Sequence, residues 1–224
     1  MKSLYKTVKI MSLAVLTLSL SNCTDELTTN SSTAISEETI LSSTNQLNMV
    51  LNSVYKYILM GDNGSGSQND ACYAGLPGYC MYYDLTGADI MSTTNYGGSP
   101  EMCYRAAPER TQSTGDYSKR IWVNMYKAIN QANIILDALP DATGEDSEKN
   151  DLKGQCLAIR GICYFNLIMN YQQTYAIAKD KRGVILRTSS SDPESMGFST
   201  VQQCYDQILK DLKEAKTLLA GYDR

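Results

Sequence analysis

Five tyrosines fall within 26 residues, Tyr79, Tyr82, Tyr83, Tyr96 and Tyr104, interleaved with Asp84, Asp89, Asn95 and Arg105. A tyrosine ring offers a flat apolar face and a hydroxyl tip. Carboxylates, carboxamides and a guanidinium offer planar donors and acceptors that match pairs of hydroxyls. The mixture suits a ligand with stackable C–H faces and many hydroxyls, which is the chemistry of a sugar. Tyr82, Asp89, Asn95, Tyr96, Tyr104 and Arg105 are the candidate ligand-binding residues. A second reading, in which the tyrosines only cover the helices beneath them, stands beside the first. The whole chain shares the bias, with 16 Tyr against 2 Phe and 1 Trp.

Other chemistry is narrowed by what the 224 residues lack. There is no histidine, so Ser-His-Asp and Cys-His nucleophile systems and His-containing zinc sites are excluded. The formal charge of −4 and pI of about 4.9 argue against a phosphate-tracking nucleic-acid binder. Asp25/Glu26 and Glu37/Glu38 are carboxylate pairs on a tether and at an exposed helix start, not flanking a cleft as glycoside hydrolysis requires. Asp62-Asn63-Gly64 lacks the glutamate that would complete a calcium loop. No catalytic residue, metal site or cofactor is assigned.

The first 22 residues read as an export signal. Lys2, Lys6 and Lys9 precede an apolar stretch, Ile10 to Leu20, too short to span a bilayer but suited to a signal-peptide core. Leu20-Ser21-Asn22-Cys23 resembles a bacterial lipobox, with Asn22 in place of the usual small residue, which makes Cys23 the expected lipidation (palmitate) site and mature N-terminus. Removing residues 1–22 takes three lysines and no acid, leaving 17 basic against 24 acidic residues, a net charge of −7. Residues 23–35 read as a Thr/Ser/Asn-rich tether. Thr24-Asp25-Glu26 resembles an acidic surface-export tag. Six other cysteines remain: Cys156, Cys163 and Cys204 read as small buried hydrophobes, whereas Cys72, Cys80 and Cys103 leave a disulfide open.

The elements behind these residues are helices. Leu47, Val50, Leu51, Val54, Tyr55, Ile58 and Leu59 recur at helical spacing, in a helix beginning between Ser36 and Thr44 and stopped by the glycines after Met60. From there to about Asp116 no helical period holds, so a functional irregular region or short strands and turns are expected. Helical order returns near Tyr117, with Trp122, Met125, Tyr126, Ile129, Ala132, Asn133 and Leu136 on one face and Pro140 beyond its end. Ser147 is the predicted N-cap of the next helix, whose stripe is Leu152, Cys156, Ile159, Cys163, Leu167 and Tyr171. Arg160 amid that stripe needs a carboxylate or carbonyl partner. Lys179-Asp180-Lys181-Arg182 and Thr188 to Pro193 read as solvated surface. A last helix starts near Ser199 or Thr200, along Val201, Cys204, Tyr205, Ile208, Leu212, Ala215 and Leu219. The central pair forms a hairpin of tetratricopeptide-repeat size. The last helix would open another, so its stripe is expected to lie exposed and the chain looks truncated.

The run from Ile121 to Asp137 resembles the W-x-x-x-Y-x-x-I-x-x-A-N-x-x-L pattern of SusD/RagB-like lipoproteins. Leu152 to Leu167 is similar to that family's next helix, with Cys156 and Gly161 where it usually has alanine. Ser199 to Leu212 is similar to its third. The resemblance implies a mainly α fold of tetratricopeptide-like hairpins with a long irregular loop region, here only its N-terminal part, over residues 36–224. It implies a lipid-anchored protein on the outer face of the outer membrane that binds oligosaccharides and passes them to a SusC-like TonB-dependent transporter, without catalysis or nucleic-acid binding. Trp122 and Tyr126 are read as packing between helices and Asn133 as capping or bridging them, and Asp89 resembles an acidic family position. A peptide-binding RagB-type role, a helical interaction scaffold and an inactive fragment are the alternatives.

Overall fold

The computed structural model describes residues 41–60, 75–86 and 116–221. Its helices are α1 (Thr44–Met60), α2 (Gly75–Thr86), α3 (Asp116–Ala138), α4 (Asp146–Tyr171), the single turn α5 (Tyr175–Ala178) and α6 (Val201–Leu218). Among the described residues only isolated bridges, Ser43 with Thr143 and Arg182 with Thr200, have β character. The fold is therefore mainly α, as the periodicity predicts. No helix among the described residues is long and apolar enough to cross a membrane.

Helix α4 is the central element, packed on α3 on one side and α6 on the other. It buries Leu152, Cys156, Leu157, Ile159, Cys163, Tyr164, Leu167 and Ile168, far more than one stripe. Its two neighbours explain the excess. Helix α3 contributes Ile121, Met125, Ala128, Ile129, Ala132 and Ile135, and α1 adds Leu47, Leu51 and Val54. The buried thiols of Cys156 and Cys163 are pushed up to about 12 by burial, as expected of packing groups. Leu59, counted in the apolar face of α1, is instead 56% exposed.

Three expectations are corrected. The region from 61 to 116 is not wholly without helical order, since α2 occupies Gly75–Thr86. Pro77 lies in its first turn, where the missing N–H would have had no helical partner anyway. The N-cap of α4 is Glu145, not Ser147. Glu148 Oε2 accepts from the Glu145 N–H at 3.3 Å and from Thr44 Oγ1 at 2.6 Å, which also ties the start of α1 to this turn. The stripe of α6 does not lie bare: Val201, Cys204, Ile208 and Ala215 are buried, with α4 as the covering element. Thr200 caps α6 as read, accepting from the Gln203 N–H at 3.1 Å.

The approach of α6 to α4 is close at Gly161, where a Cβ would lie 2.9 Å from Leu212 Cδ2. Next to this contact, one residue earlier on each helix, sits the charged centre of the fold. Arg160 Nε and Nη2 donate to Asp211 Oδ2 and Oδ1, each at 2.8 Å, and Nη1 donates to Asn133 Oδ1 at 2.9 Å and Thr188 O at 3.0 Å. Asp211 is 1% exposed and Arg160 6%. Burial opposes the guanidinium charge, but the hydrogen bonds and charge of Asp211 outweigh it and hold the group protonated. The partner demanded by Arg160 is thus supplied from α6, and Asn133 bridges as expected.

Truncating one partner of such a pair leaves a buried unpaired charge, which costs about 3–5 kcal/mol. Asp211→Ala is expected to lower the unfolding free energy by that amount, and the paired apolar replacement Arg160→Met/Asp211→Leu to lose less than Asp211→Ala alone. Equilibrium unfolding followed by circular dichroism decides it, and a loss under about 0.5 kcal/mol for Asp211→Ala contradicts it.

Candidate functional site

The tyrosine-rich stretch divides on the structure. Tyr79 is buried on α2, its hydroxyl accepts from Asn124 Nδ2 at 2.5 Å, and burial pushes its phenol up to about 12. It is a packing residue, so for Tyr79 the covering role prevails. Tyr83 is half-buried. Its hydroxyl donates to Asn166 Oδ1 at 3.3 Å and accepts from Asn170 Nδ2 at 2.7 Å. Tyr82 lies on α2 between them, with its side chain outside the described residues, and Asp84 is exposed. Cys80 is exposed and unpaired. Asp89, Asn95, Tyr96, Tyr104 and Arg105, along with Cys23, Cys72 and Cys103, lie outside the described residues.

Asn170 leads from Tyr83 to a polar cleft. The cleft is shallow and open to solvent, with a volume of about 610 Å³, and is lined by Asn170, Tyr171, Gln172, Gln173, Ala178, Lys181 and Arg182. It forms where α4 ends: Gln172 turns extended, and its N–H still donates to Ile168 O at 3.1 Å. Tyr171 is fixed beneath by edge-on packing against Trp122, with centroids 5.0 Å apart, and by a hydrogen bond from its hydroxyl to Ser118 O. Trp122 in turn tilts against Tyr126 at 4.8 Å, a helix-packing role as read.

The far wall is the charge run, and its backbone is not loose surface. Lys181 O and Lys179 O accept from the N–H groups of Val201 and Gln202 at 3.0 and 2.9 Å, satisfying donors that the first turn of α6 leaves unpaired. Gly183 N–H donates to Ser199 O at 2.6 Å, and Ser199 N–H to Val184 O at 3.0 Å. Gln172 Nε2 reaches across to Gly183 O at 3.2 Å, joining the two walls. The Arg182 guanidinium stacks 3.3 Å from the Phe198 ring centre. All four side chains of Lys179 to Arg182 are exposed, as read, while their main chain is pinned.

The chain between the charge run and the Thr188 to Pro193 stretch is also held. Tyr126 Oη donates to Ile185 O at 2.7 Å and accepts from Ile185 N–H at 3.0 Å. Tyr164 Oη does the same with Arg187, at 2.7 and 2.5 Å. Burial pushes both phenols well above the ordinary tyrosine range, so both remain donors near neutral pH. At Asp137, burial works against the carboxylate. The N–H and hydroxyl of Ser190, the Ser189 hydroxyl and the Arg160 charge outweigh it, so its acidity ends below the usual range. Carboxamides and cations around an aromatic floor can pair hydroxyls and anionic groups. Among the described residues no group of His, Cys, Asp or Glu is arranged to hold a metal ion.

Neither the cleft nor its anchoring is marked by periodicity. The signal that points to it is the close run Asn170, Gln172, Gln173, Lys181 and Arg182, short carboxamides and cations on either side of a one-turn helix.

A helical hairpin with a third helix packed on it, and a polar cleft at one end, defines the architecture as a helical-repeat one. Residues 80–222 match the SusD-like family, described as starch-binding and associating with outer membrane, and the chain belongs to it. A SusD-like carbohydrate binding protein from Bacteroides vulgatus is 26% identical with a TM-score of 0.71, over 82% of this chain and 37% of that one. A SusD superfamily protein from Bacteroides fragilis is 24% identical with a TM-score of 0.62, over 78% and 39%. One from Bacteroides thetaiotaomicron shares the fold at 24% identity and a TM-score of 0.58, over 79% and 37%. The chain thus spans less than two-fifths of the length of these solved relatives. No curated protein matches.

Gly183 holds the cleft wall at a position where a Cβ would lie 2.8 Å from Cys204 Sγ and 2.9 Å from the Thr200 carbonyl carbon and oxygen. Backbone cannot yield as a side chain can. Gly183→Ala is expected to destabilise by about 1–3 kcal/mol. Gly197→Ala, with nothing within 4 Å, should stay within about 0.5 kcal/mol. Thermal melts of the two variants check the contrast, and equal melting temperatures would refute it.

Proposed function

We propose that the chain captures oligosaccharides at the outer face of the outer membrane and delivers them to a SusC-like TonB-dependent transporter, held to the membrane by lipid on Cys23. The observation that carries the reading is membership of the SusD-like family across residues 80–222. The fold shared with a carbohydrate binding relative at 26% identity supports it. The polar cleft supplies a compatible surface: carboxamides and cations beside the half-buried Tyr171, linked through Asn170 to Tyr83. Tyr82, Asp89, Asn95, Tyr96, Tyr104 and Arg105 are proposed as further ligand-binding residues. Signal-peptide removal before Cys23 leaves residues 23–35 as the tether between lipid and helical region. Capture and hand-over need no catalytic group, and none is assigned.

Isothermal titration with neutral and acidic oligosaccharides and with peptide pools separates this reading from a peptide-binding one. Oligosaccharide binding that weakens by about tenfold or more, roughly 1.4 kcal/mol, in Tyr96→Ala/Tyr104→Ala is expected. Cys23→Ser should move the chain from the membrane to the soluble fraction and abolish palmitate labelling. Binding to peptides alone sinks the oligosaccharide reading, and unchanged membrane retention sinks the anchor.

A further inference from the structure

We infer that the cleft at the end of α4 is a subsite for a carboxylate-bearing sugar, a uronic acid residue, with Lys181 and Arg182 as the groups that pair its carboxylate. The inference rests on the oligosaccharide reading and gives this one cleft a substrate class.

The charges around the cleft carry it. Lys181 and Arg182 are adjacent, both exposed, and both line the hollow. Among the described residues neither has a carboxylate within ion-pair distance. Lys181 Nζ contacts only the amide oxygen of Gln173, at 3.5 Å, and the Arg182 guanidinium lies on the Phe198 ring. The neighbouring acid Asp180 is instead beside Lys179, at 4.0 Å, and does not line the cleft. No acidic side chain is among the lining residues. Two uncompensated cations therefore face one hollow of a chain whose mature form carries a net charge of −7. Against that net negative charge the pair forms a local positive site, which favours an anionic group.

The remaining lining is suited to the sugar that carries the anion. Gln172 keeps its side-chain oxygen unused, because only its Nε2 is engaged, on Gly183 O. Gln173 keeps its amide donors, because only its oxygen contacts Lys181. These are the planar groups that pair ring hydroxyls, and Tyr171 offers a half-buried ring beside them. The cations are held on a backbone that is bonded at Lys179, Lys181 and Gly183 to residues 199–202, so their placement does not wait on the ligand. Arg182 meets the Phe198 ring at its guanidinium carbon, and among the described residues no hydrogen-bond acceptor holds its N–H donors, which a carboxylate can pair.

Trigalacturonate and maltotriose, an acidic and a neutral sugar of equal length, are titrated into the wild-type chain and into Lys181→Gln/Arg182→Gln. The expected result is tighter binding of trigalacturonate, weakened by added salt and by roughly tenfold or more in the double variant. Lys181→Gln alone preserves the Arg182–Phe198 stack and is expected to lose about threefold, so the test survives any unfolding of the double variant. Trigalacturonate bound no better than maltotriose, or bound equally by both variants, overturns the subsite. Maltotriose binding that persists in that case leaves the oligosaccharide reading standing, and binding of neither sugar overturns both. Inorganic phosphate competing as well as the uronate would also overturn it, by reducing the cleft to a general anion site.

Discussion

The buried charge of Arg160 is the constraint on which the rest of the structure depends. A guanidinium with 6% exposure is costly wherever it stands alone, so every donor must find a fixed acceptor. Asp211 answers from α6, Asn133 from α3 and Thr188 from the crossing segment. One side chain of α4 therefore sets the mutual register of three helices and a loop. Apolar packing around it is tolerant of small slides, since methyl groups fit many partners. The bidentate Arg–Asp pair is not, because both oxygens are used at 2.8 Å. Gln207 Nε2 also donates to Asp211 Oδ1 at 2.8 Å, so the carboxylate is held from its own helix as well.

From that centre the segment of residues 184–190 is laid across α3 and α4 by side chains acting as a backbone would. Tyr126 and Tyr164 each give one donor and one acceptor to a single residue, Ile185 and Arg187. A neighbouring β-strand would satisfy those residues in the same way. Phenylalanine could fill the volume but leave two buried main-chain pairs unmet. The excess of tyrosine over phenylalanine has a structural cause here: helices must present hydrogen-bonding tips to an extended chain that has no sheet to join. Arg187 closes the far turn by donating to the carbonyls of Asp192, Pro193 and Glu194.

Much of the helical frame is legible in the sequence, and the reasons differ from element to element. Helices α1, α3, α4 and α6 carry apolar residues at regular spacing, and Thr200 with Gln203 marks the start of α6. Arg160 is legible as a charge that needs a partner, but not which partner, because Asp211 lies 51 positions away on the exposed-looking register of another helix. Helix α2 escapes because Gly75, Pro77 and Gly78 read as turn formers, although Leu76, Tyr79 and Tyr83 keep a helical period. The cleft escapes for a different reason. Its walls are loops whose order comes from main-chain pairing between residues 179–184 and 199–202, and such pairing leaves no period in side-chain type.

The same pairing bears on how binding and stability are divided in this end of the molecule. Residues 199–202 start α6, whose middle delivers Asp211 to Arg160, and they also fix the main chain that carries Lys181 and Arg182. The cations themselves contribute little to the fold, since their side chains are exposed and their partners are an amide oxygen and an aromatic ring. Gly183 and Val184 contribute much, being buried and bonded on both sides. Side chains at 181 and 182 can therefore change without moving the wall, whereas changes at 183 and 184 cannot. A cleft wall built this way is free to vary its charge on a support that the start of α6 and the buried arginine hold in place.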